Sequence, residues 1–97
     1  MADTPEGKVK RHVSQILKRA GPCVYYFMPV QTGYGSPTLD YLGCHRGRAF
    51  AIETKAPGKK PTARQKAIIK QMEAAGMKVF VIAGNPREYE ELRLWLF

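Results

Sequence analysis

The chain has no long hydrophobic run, and this shortage excludes several classes of protein. No stretch approaches the roughly 18 consecutive apolar residues that a membrane-spanning helix needs, so no membrane association is expected. The first eight residues, MADTPEGK, lack the apolar centre of a secretory signal. We therefore expect an intracellular protein. A chain of 97 residues that is 44% apolar is expected to form one folded domain, spanning residues 1–97.

Cysteine is also scarce. Cys23 and Cys44 lie far apart, and neither belongs to a Cys-x-x-Cys pair. Two cysteines and two histidines scattered along the chain match no zinc-ligand spacing. Both cysteines fall in apolar stretches, where a cysteine behaves as a small buried hydrophobe. The expectation is two reduced thiols in the core.

Acidic residues are few. There are 8 Asp and Glu against 16 Lys and Arg, which gives a net charge of +8. Residues 85–97 hold two arginines against three glutamates, so the positive excess lies in residues 1–84. An asymmetric basic surface suits a polyanionic partner, usually nucleic acid. The same charge would also keep a basic protein soluble without any such partner. The charge alone therefore does not decide between these two interpretations.

The apolar pattern predicts the order αβββαβ, followed by a short C-terminal helix. The first helix begins at Thr4-Pro5-Glu6, with Thr4 as the N-cap, and ends at Gly21-Pro22. Strands are predicted at 23–28, 39–44, 48–55 and 78–83; the other helices run from Thr62 to about Ala75 and onward from Asn85-Pro86. The last strand is nearly all apolar, which predicts burial on both faces. The order favours an α/β fold with a mixed sheet flanked by helices.

The two middle strands are separated only by His45-Arg46-Gly47, which predicts an antiparallel hairpin. Residues two apart on a strand share a face, so Glu53 and Lys55 project together. Counting outward from the turn brings Asp40 near Glu53. Two carboxylates and one ammonium group are therefore expected to converge at one corner of the sheet.

Such a cluster suits phosphodiester hydrolysis. Two neighbouring carboxylates repel each other unless they share a cation, and Mg²⁺ usually takes one or two carboxylates together with water and substrate phosphate. The ion polarises the phosphate and activates water, while a lysine offsets charge in the transition state. A simple salt bridge among Asp40, Glu53 and Lys55 explains the same residues. Geometry alone leaves both interpretations open.

Two helical residues join the list of candidates. At 100° per residue, Glu6 lies within about 20° of Val13 and Leu17, on the buried stripe of the first helix. Gln65 extends the apolar face of the second helix, which comprises Ile68, Ile69 and Met72. The alternatives are an acid favoured by the helix dipole for Glu6 and an amide tying the helix to a loop for Gln65.

Three segments then resemble a known family: Gly-Ser-Pro-Thr-Leu-Asp at 35–40, Phe-Ala-Ile-Glu-Thr-Lys-Ala-Pro-Gly at 50–58 and Thr-Ala-Arg-Gln at 62–65. Together with the element order, they resemble the virus-type replication-repair nuclease (VRR-NUC) branch of the PD-(D/E)xK superfamily, over nearly the whole chain. The resemblance implies a restriction-endonuclease-like αβββαβ core. One departure is that the family's Pro-Asp pair is split here into Pro37-Thr38-Leu39-Asp40.

The resemblance also implies the roles of the site residues. Metal ligation would come from Asp40, Glu53 and the backbone carbonyl of Thr54, with Glu6 reaching the metal through water. Lys55 would be the catalytic lysine, and Glu6 and Gln65 would belong to the catalytic set. The implied cofactor is Mg²⁺ or Mn²⁺, with no small-molecule cofactor.

The implied activity is that of an endonuclease acting on branched or structured DNA, such as Holliday junctions or flaps. The family further implies a homodimer with a role in DNA replication or repair, in the cytoplasm of a bacterial or phage-infected cell. The alternative function is a non-catalytic, basic nucleic-acid-binding module.

Basic residues flank the proposed site on both sides. They are expected to hold phosphates next to the scissile one. These residues are Lys8, Lys10 and Arg11 after Glu6, and Lys59, Lys60 and Arg64 after Lys55. Tyr34, between two glycines, suits stacking on a base and equally suits a loop anchor.

Overall fold

The computed structural model describes residues 4–30 and 37–97 of the chain. Its elements follow the order predicted from sequence, with ends that shift by one or two residues. They are α1 (Pro5–Arg19), a 3₁₀ turn (Gly21–Cys23), β1 (Val24–Phe27), β2 (Tyr41–His45), β3 (Arg48–Thr54), α2 (Ala63–Ala74), β4 (Lys78–Ile82) and α3 (Pro86–Leu96). No helix in these two ranges is long and apolar enough to cross a membrane.

The four strands form one mixed sheet in the order β1-β2-β3-β4. The first three are antiparallel neighbours, and β4 runs parallel to β3 after the crossover through α2. An α/β fold with a mixed sheet is therefore confirmed. The crossover follows from geometry, because parallel neighbours cannot be joined by a tight turn.

The hairpin between β2 and β3 is also confirmed. Its two turn residues, Arg46 and Gly47, have φ values of 49° and 84°. Positive φ at both central positions is the mark of a type I′ turn, whose twist matches that of the strands. The register pairs Tyr41 with Ile52, so Asp40 and Glu53 are the next residues beyond the last pair.

The core lies on one face of the sheet, between the strands and the helices α1 and α3. Its strand residues include Tyr41, Phe50 and Ile52, all fully buried. The hydroxyl of Tyr41 donates a hydrogen bond to the backbone carbonyl of Lys10 (2.9 Å) and lies 2.7 Å from the hydroxyl of Ser14. These contacts fix α1 against the sheet.

Close packing on this face requires a glycine at position 43. A Cβ added to Gly43 would clash with the carbonyl oxygen of Tyr25 and lie 2.7 Å from the ring of Phe50. The ring of Phe50 therefore occupies the space that a side chain on the neighbouring strand would need.

The opposite face of the sheet is covered only in part, by α2. No residue of α2 is fully buried, and its predicted apolar residues Ile68, Ile69 and Met72 are half-buried. On β1, Tyr25 is 72% exposed and Phe27 49% exposed. The sheet therefore presents aromatic side chains to solvent beyond the edge of α2.

This incomplete cover makes two predictions wrong. Cys23 and Cys44 are both exposed, because Cys23 ends the 3₁₀ turn and Cys44 pairs with Tyr25 on the uncovered face. The strand β4 was expected to be buried on both faces. It is an edge strand, so Phe80 and Ile82 are buried, whereas Val79 and Val81 on the side of α2 are only half-buried.

Candidate active site

Asp40 is fixed at the end of β3 by Thr54. The Oδ2 atom of Asp40 accepts hydrogen bonds from the backbone N–H of Thr54 (2.9 Å) and from its hydroxyl (2.7 Å). Thr54 is fully buried. Asp40 lies just before β2, so these bonds fix its carboxylate at the same corner of the sheet as Glu53, where the hairpin register predicted it.

Glu53 carries the second carboxylate, and it is almost completely buried, with 3% of its surface exposed. Its Oε2 atom accepts a hydrogen bond from Gln65 Nε2 (2.9 Å) and lies 3.4 Å from Lys55 Nζ. Its Oε1 atom is buried and has no hydrogen-bond partner among the described residues. Burial and the charge of Asp40 raise the pKa of Glu53, against the opposing effect of Lys55.

Lys55 directs its ammonium group to the same face as Glu53, as the strand periodicity predicts. Its side chain is 15% exposed. Its backbone N–H donates to the carbonyl of Ile82 (2.9 Å), so the parallel pairing of β3 and β4 continues one residue beyond the strand end. That bond holds the lysine at the corner.

Gln65 has two tasks at once. Its Oε1 accepts the backbone N–H of Thr62 (3.0 Å), while the Thr62 hydroxyl accepts the backbone N–H of Gln65 (3.2 Å), which forms a capping box at the start of α2. Its Nε2 donates to Glu53. The amide therefore ties the helix start to the buried carboxylate.

Glu6 is further from the core than the helical angle predicted. Its side chain is 41% exposed and forms an i, i+4 ion pair with Lys10 (3.2 Å). The rest of the predicted stripe, Val9, Val13 and Leu17 included, is buried. Glu6 lies in the exposed first turn of α1, beyond the part of the helix that packs on the sheet.

Lys10 belongs to the site more closely than its predicted role as a phosphate contact implied. Burial acts to lower its pKa, but the charges of Asp40 and Glu6, together with the hydrogen bond to Glu6, raise the pKa above the ordinary value. The ammonium group thus responds to both carboxylates. The i, i+4 spacing of Glu6 and Lys10 was the sequence signal for their pairing.

No group of three or more His, Cys, Asp or Glu side chains in the described part of the chain is arranged to hold a metal ion. Glu6, which the resemblance places near the metal through water, is instead paired with Lys10. Asp40 and Glu53 remain as a pair of carboxylates. One or two carboxylates with water and phosphate oxygens are the usual protein ligands of Mg²⁺.

The remaining predicted nucleic-acid contacts lie on α1, on α2 and on the loop between β3 and α2. Lys8, Arg11, Lys59, Lys60 and Arg64 are all exposed. Arg64 directly precedes Gln65 in the first turn of α2. Tyr34 lies outside the described residues.

No model of a known protein family matches the chain, and no curated protein matches it significantly.

The raised pKa of Glu53 predicts how stability depends on pH. Because its pKa is higher in the folded than in the unfolded state, the folded state binds the proton more tightly, and stability falls as pH rises from the ordinary value of 4.5 through the raised value. Glu53→Gln should remove this loss and be more stable than wild type at pH 7, but not at pH 4.5. Urea denaturation in the presence of EDTA, from pH 4 to 8, measures the free energy of unfolding of both proteins.

The matched control for that experiment is Glu90→Gln, since Glu90 is an exposed glutamate on α3. It should leave the pH profile as in wild type. A Glu53→Gln variant whose stability falls with pH as steeply as that of wild type would show that burial imposes no cost on this carboxylate.

Gln65→Glu separates the two tasks of Gln65. A glutamate at this position still completes a capping box, so α2 keeps its cap. Its carboxylate, however, replaces the amide donor that lies 2.9 Å from Glu53. We expect a loss of about 1–3 kcal/mol in the free energy of unfolding at pH 7, most of it recovered at pH 5 as one carboxyl is protonated.

Thermal unfolding followed by circular dichroism at the two pH values measures this effect. Gln65→Ala is the comparison, because it removes both contacts and adds no charge, so its deficit should change much less between pH 5 and pH 7 than that of Gln65→Glu. Equal stability of Gln65→Glu at pH 7 and pH 5, relative to wild type, would contradict a contact between residues 65 and 53.

Proposed function

We propose that this protein is a metal-dependent endonuclease that hydrolyses phosphodiester bonds in DNA. The observation that carries the proposal is the carboxylate of Glu53, which is buried beside Asp40 with one oxygen left without a hydrogen-bond partner in the described part of the chain. A buried charge of this kind is costly for a purely structural role. A cation bound by both carboxylates would offset that cost.

The residues present fit Mg²⁺ or Mn²⁺. The donors at the corner are carboxylate oxygens, which hard divalent ions prefer, and neither thiol belongs to this cluster. Asp40 and Glu53 would hold the ion, with the Thr54 carbonyl as the further ligand that the resemblance suggests. When bound, such an ion polarises the scissile phosphate and lowers the pKa of bound water.

The residues around the carboxylates would divide the remaining work. Lys55 would orient the attacking water and offset the negative charge that develops on the phosphate. Gln65 would hold Glu53 in position through its amide. Lys10 would hold Glu6 and add a second positive charge beside Asp40.

The fold supports the same proposal. The observed order αβββαβα, with a mixed sheet between α2 on one face and α1 and α3 on the other, is compatible with a restriction-endonuclease-like core of the VRR-NUC type. Within it, the E-x-K residues Glu53 and Lys55 stand at the carboxyl end of β3. Branched or structured DNA is the substrate we propose, since the sequence resemblance points to it.

Cleavage assays test the proposed activity. Wild type should cut junction, flap or linear DNA with Mn²⁺ and not with EDTA. Lys55→Ala and Asp40→Asn should each reduce the rate at least about 100-fold, because each removes charge stabilisation or a ligand at the reacting phosphate. Lys66→Ala, an exposed lysine on α2, is the matched control and should cut at the wild-type rate.

Cutting by Lys55→Ala at the wild-type rate, or the absence of metal-dependent cutting by wild type on all three substrates, would overturn the nuclease proposal. Tight DNA binding without cutting would favour the non-catalytic nucleic-acid-binding module instead.

We also propose that two copies associate through the uncovered sheet face of Tyr25 and Phe27. Contiguous exposed apolar surface of this kind marks interaction sites, and two symmetry-related sites suit the cutting of two strands. Light scattering should give twice the chain mass of 10.9 kDa, and Tyr25→Ser with Phe27→Ser should give a monomer. Leu94→Ser, exposed on α3, should stay dimeric. A monomeric wild type at all concentrations would contradict the association.

A further inference from the structure

Two open cavities adjoin each other at the carboxyl ends of the parallel strands β3 and β4. One, of about 500 Å³, is lined by Lys59 and Lys60. The other, of about 460 Å³, is lined by Pro5 and Lys8. Pro57 and Gly84 border both cavities, so the cavities lie side by side as two halves of one surface groove. We call it the carboxyl-edge groove and define it by these residues: Pro5, Lys8, Pro57, Lys59, Lys60 and Gly84.

The groove carries positive charge on both sides. Lys8 lies on the side of α1, and Lys59 and Lys60 lie on the loop after β3. None of the three lysines forms an ion pair with another described residue. The acid nearby, Glu88, uses its Oε1 to accept the N–H groups of Ala83 (2.9 Å) and Asn85 (3.0 Å) at the start of α3. The accessible charges therefore attract a polyanion.

The floor of the groove is apolar and partly aromatic. Pro5 and Pro57 are exposed there and His12 is half-buried, whereas Val9 and Tyr89 are buried behind them. The rings of His12 and Tyr89 stack with centroids 3.8 Å apart. Surfaces of this kind pack against bases and sugars, whereas a duplex keeps its base faces stacked inside and presents mainly phosphates. A cationic rim over an apolar floor therefore favours a strand whose bases are unpaired.

Gly84 borders both cavities and packs closely against the opposite wall. Its φ of +87° is in the left-handed region, and a Cβ there would lie 3.3 Å from Pro57 Cγ and 3.5 Å from Val9 Cγ2. The β4–α3 turn and the loop after β3 therefore approach each other closely between the two cavities. A larger residue at position 84 would push them apart.

Both walls of the groove continue along the chain from residues of the proposed active site. Lys55 is the first residue of the loop that forms one wall, and Glu6 directly follows Pro5 on the other. We propose that the carboxyl-edge groove binds an unpaired nucleic-acid strand that continues from the phosphate at the active site. The binding is argued from the groove itself; only the position of the cut strand relies on the proposed function.

Strand binding is measured by fluorescence anisotropy, with an oligo(dT) strand of about 12 nucleotides, a length within the range of known single-strand sites. EDTA prevents any cutting. Lys59→Ala/Lys60→Ala should weaken binding at least tenfold at 100 mM salt. The slope of log Kd against log salt should fall by about 1.4, because each phosphate contact on a single strand contributes about 0.7.

The matched control is Lys66→Ala/Lys70→Ala, which removes the same charge from exposed positions on α2, outside the groove. Its salt slope should stay near that of wild type. Equal losses in the two double variants would show that net charge alone binds DNA and would overturn the groove assignment. The groove assignment would also be overturned if Lys59→Ala/Lys60→Ala weakened binding of a blunt duplex of the same length as much as binding of the single strand. The groove would then contact phosphates without any preference for unpaired bases.

These outcomes are distinct from those of the cleavage assay. Wild type that binds the strand through Lys59 and Lys60 but cuts no DNA would keep the groove and remove the nuclease. Wild type that cuts DNA, with strand binding unaffected by Lys59→Ala/Lys60→Ala, would keep the nuclease and remove the groove.

Discussion

The buried carboxylate of Glu53 is the constraint around which this corner of the molecule is arranged. A negative charge that is 3% exposed needs partners, and each comes from a different element. Lys55 follows β3 and Gln65 comes from the first turn of α2, while the like charge of Asp40, just before β2, adds to the need for them. The hairpin, the crossover and the helix cap therefore all meet at one side chain, whose remaining oxygen has no partner in the described residues.

Features set by neighbours in sequence could be predicted from the sequence. The spacing of Glu53 and Lys55 fixes their common face, because side chains on a strand alternate. The short segment His45-Arg46-Gly47 predicted the hairpin, and the hairpin brings Asp40 near Glu53. Thr62 and Gln65, three residues apart, form a capping box, a signature that the sequence contains and that marks a helix start.

Features that depend on how elements cover one another could not be predicted. Cys44 lies in an apolar stretch of the sequence, yet it is exposed because α2 covers only part of this face of the sheet. The half-burial of Val79 and Val81 depends on β4 being an edge strand, which no local pattern specifies. The helical angle predicted a buried Glu6, but Glu6 lies in the first turn of α1, where its side chain is 41% exposed and paired with Lys10.

The arrangement of the hairpin and the crossover also has a consequence for the order in which the chain folds. The bonds between Asp40 and Thr54 join residues 14 apart within one hairpin, a local structure that forms in microseconds. The bond from Lys55 to Ile82 requires the parallel pairing of β4 after α2 has formed, and such non-local contacts form later. The two acidic residues therefore belong to one local hairpin, whereas the amide of Gln65 that contacts Glu53 belongs to the non-local part of the fold.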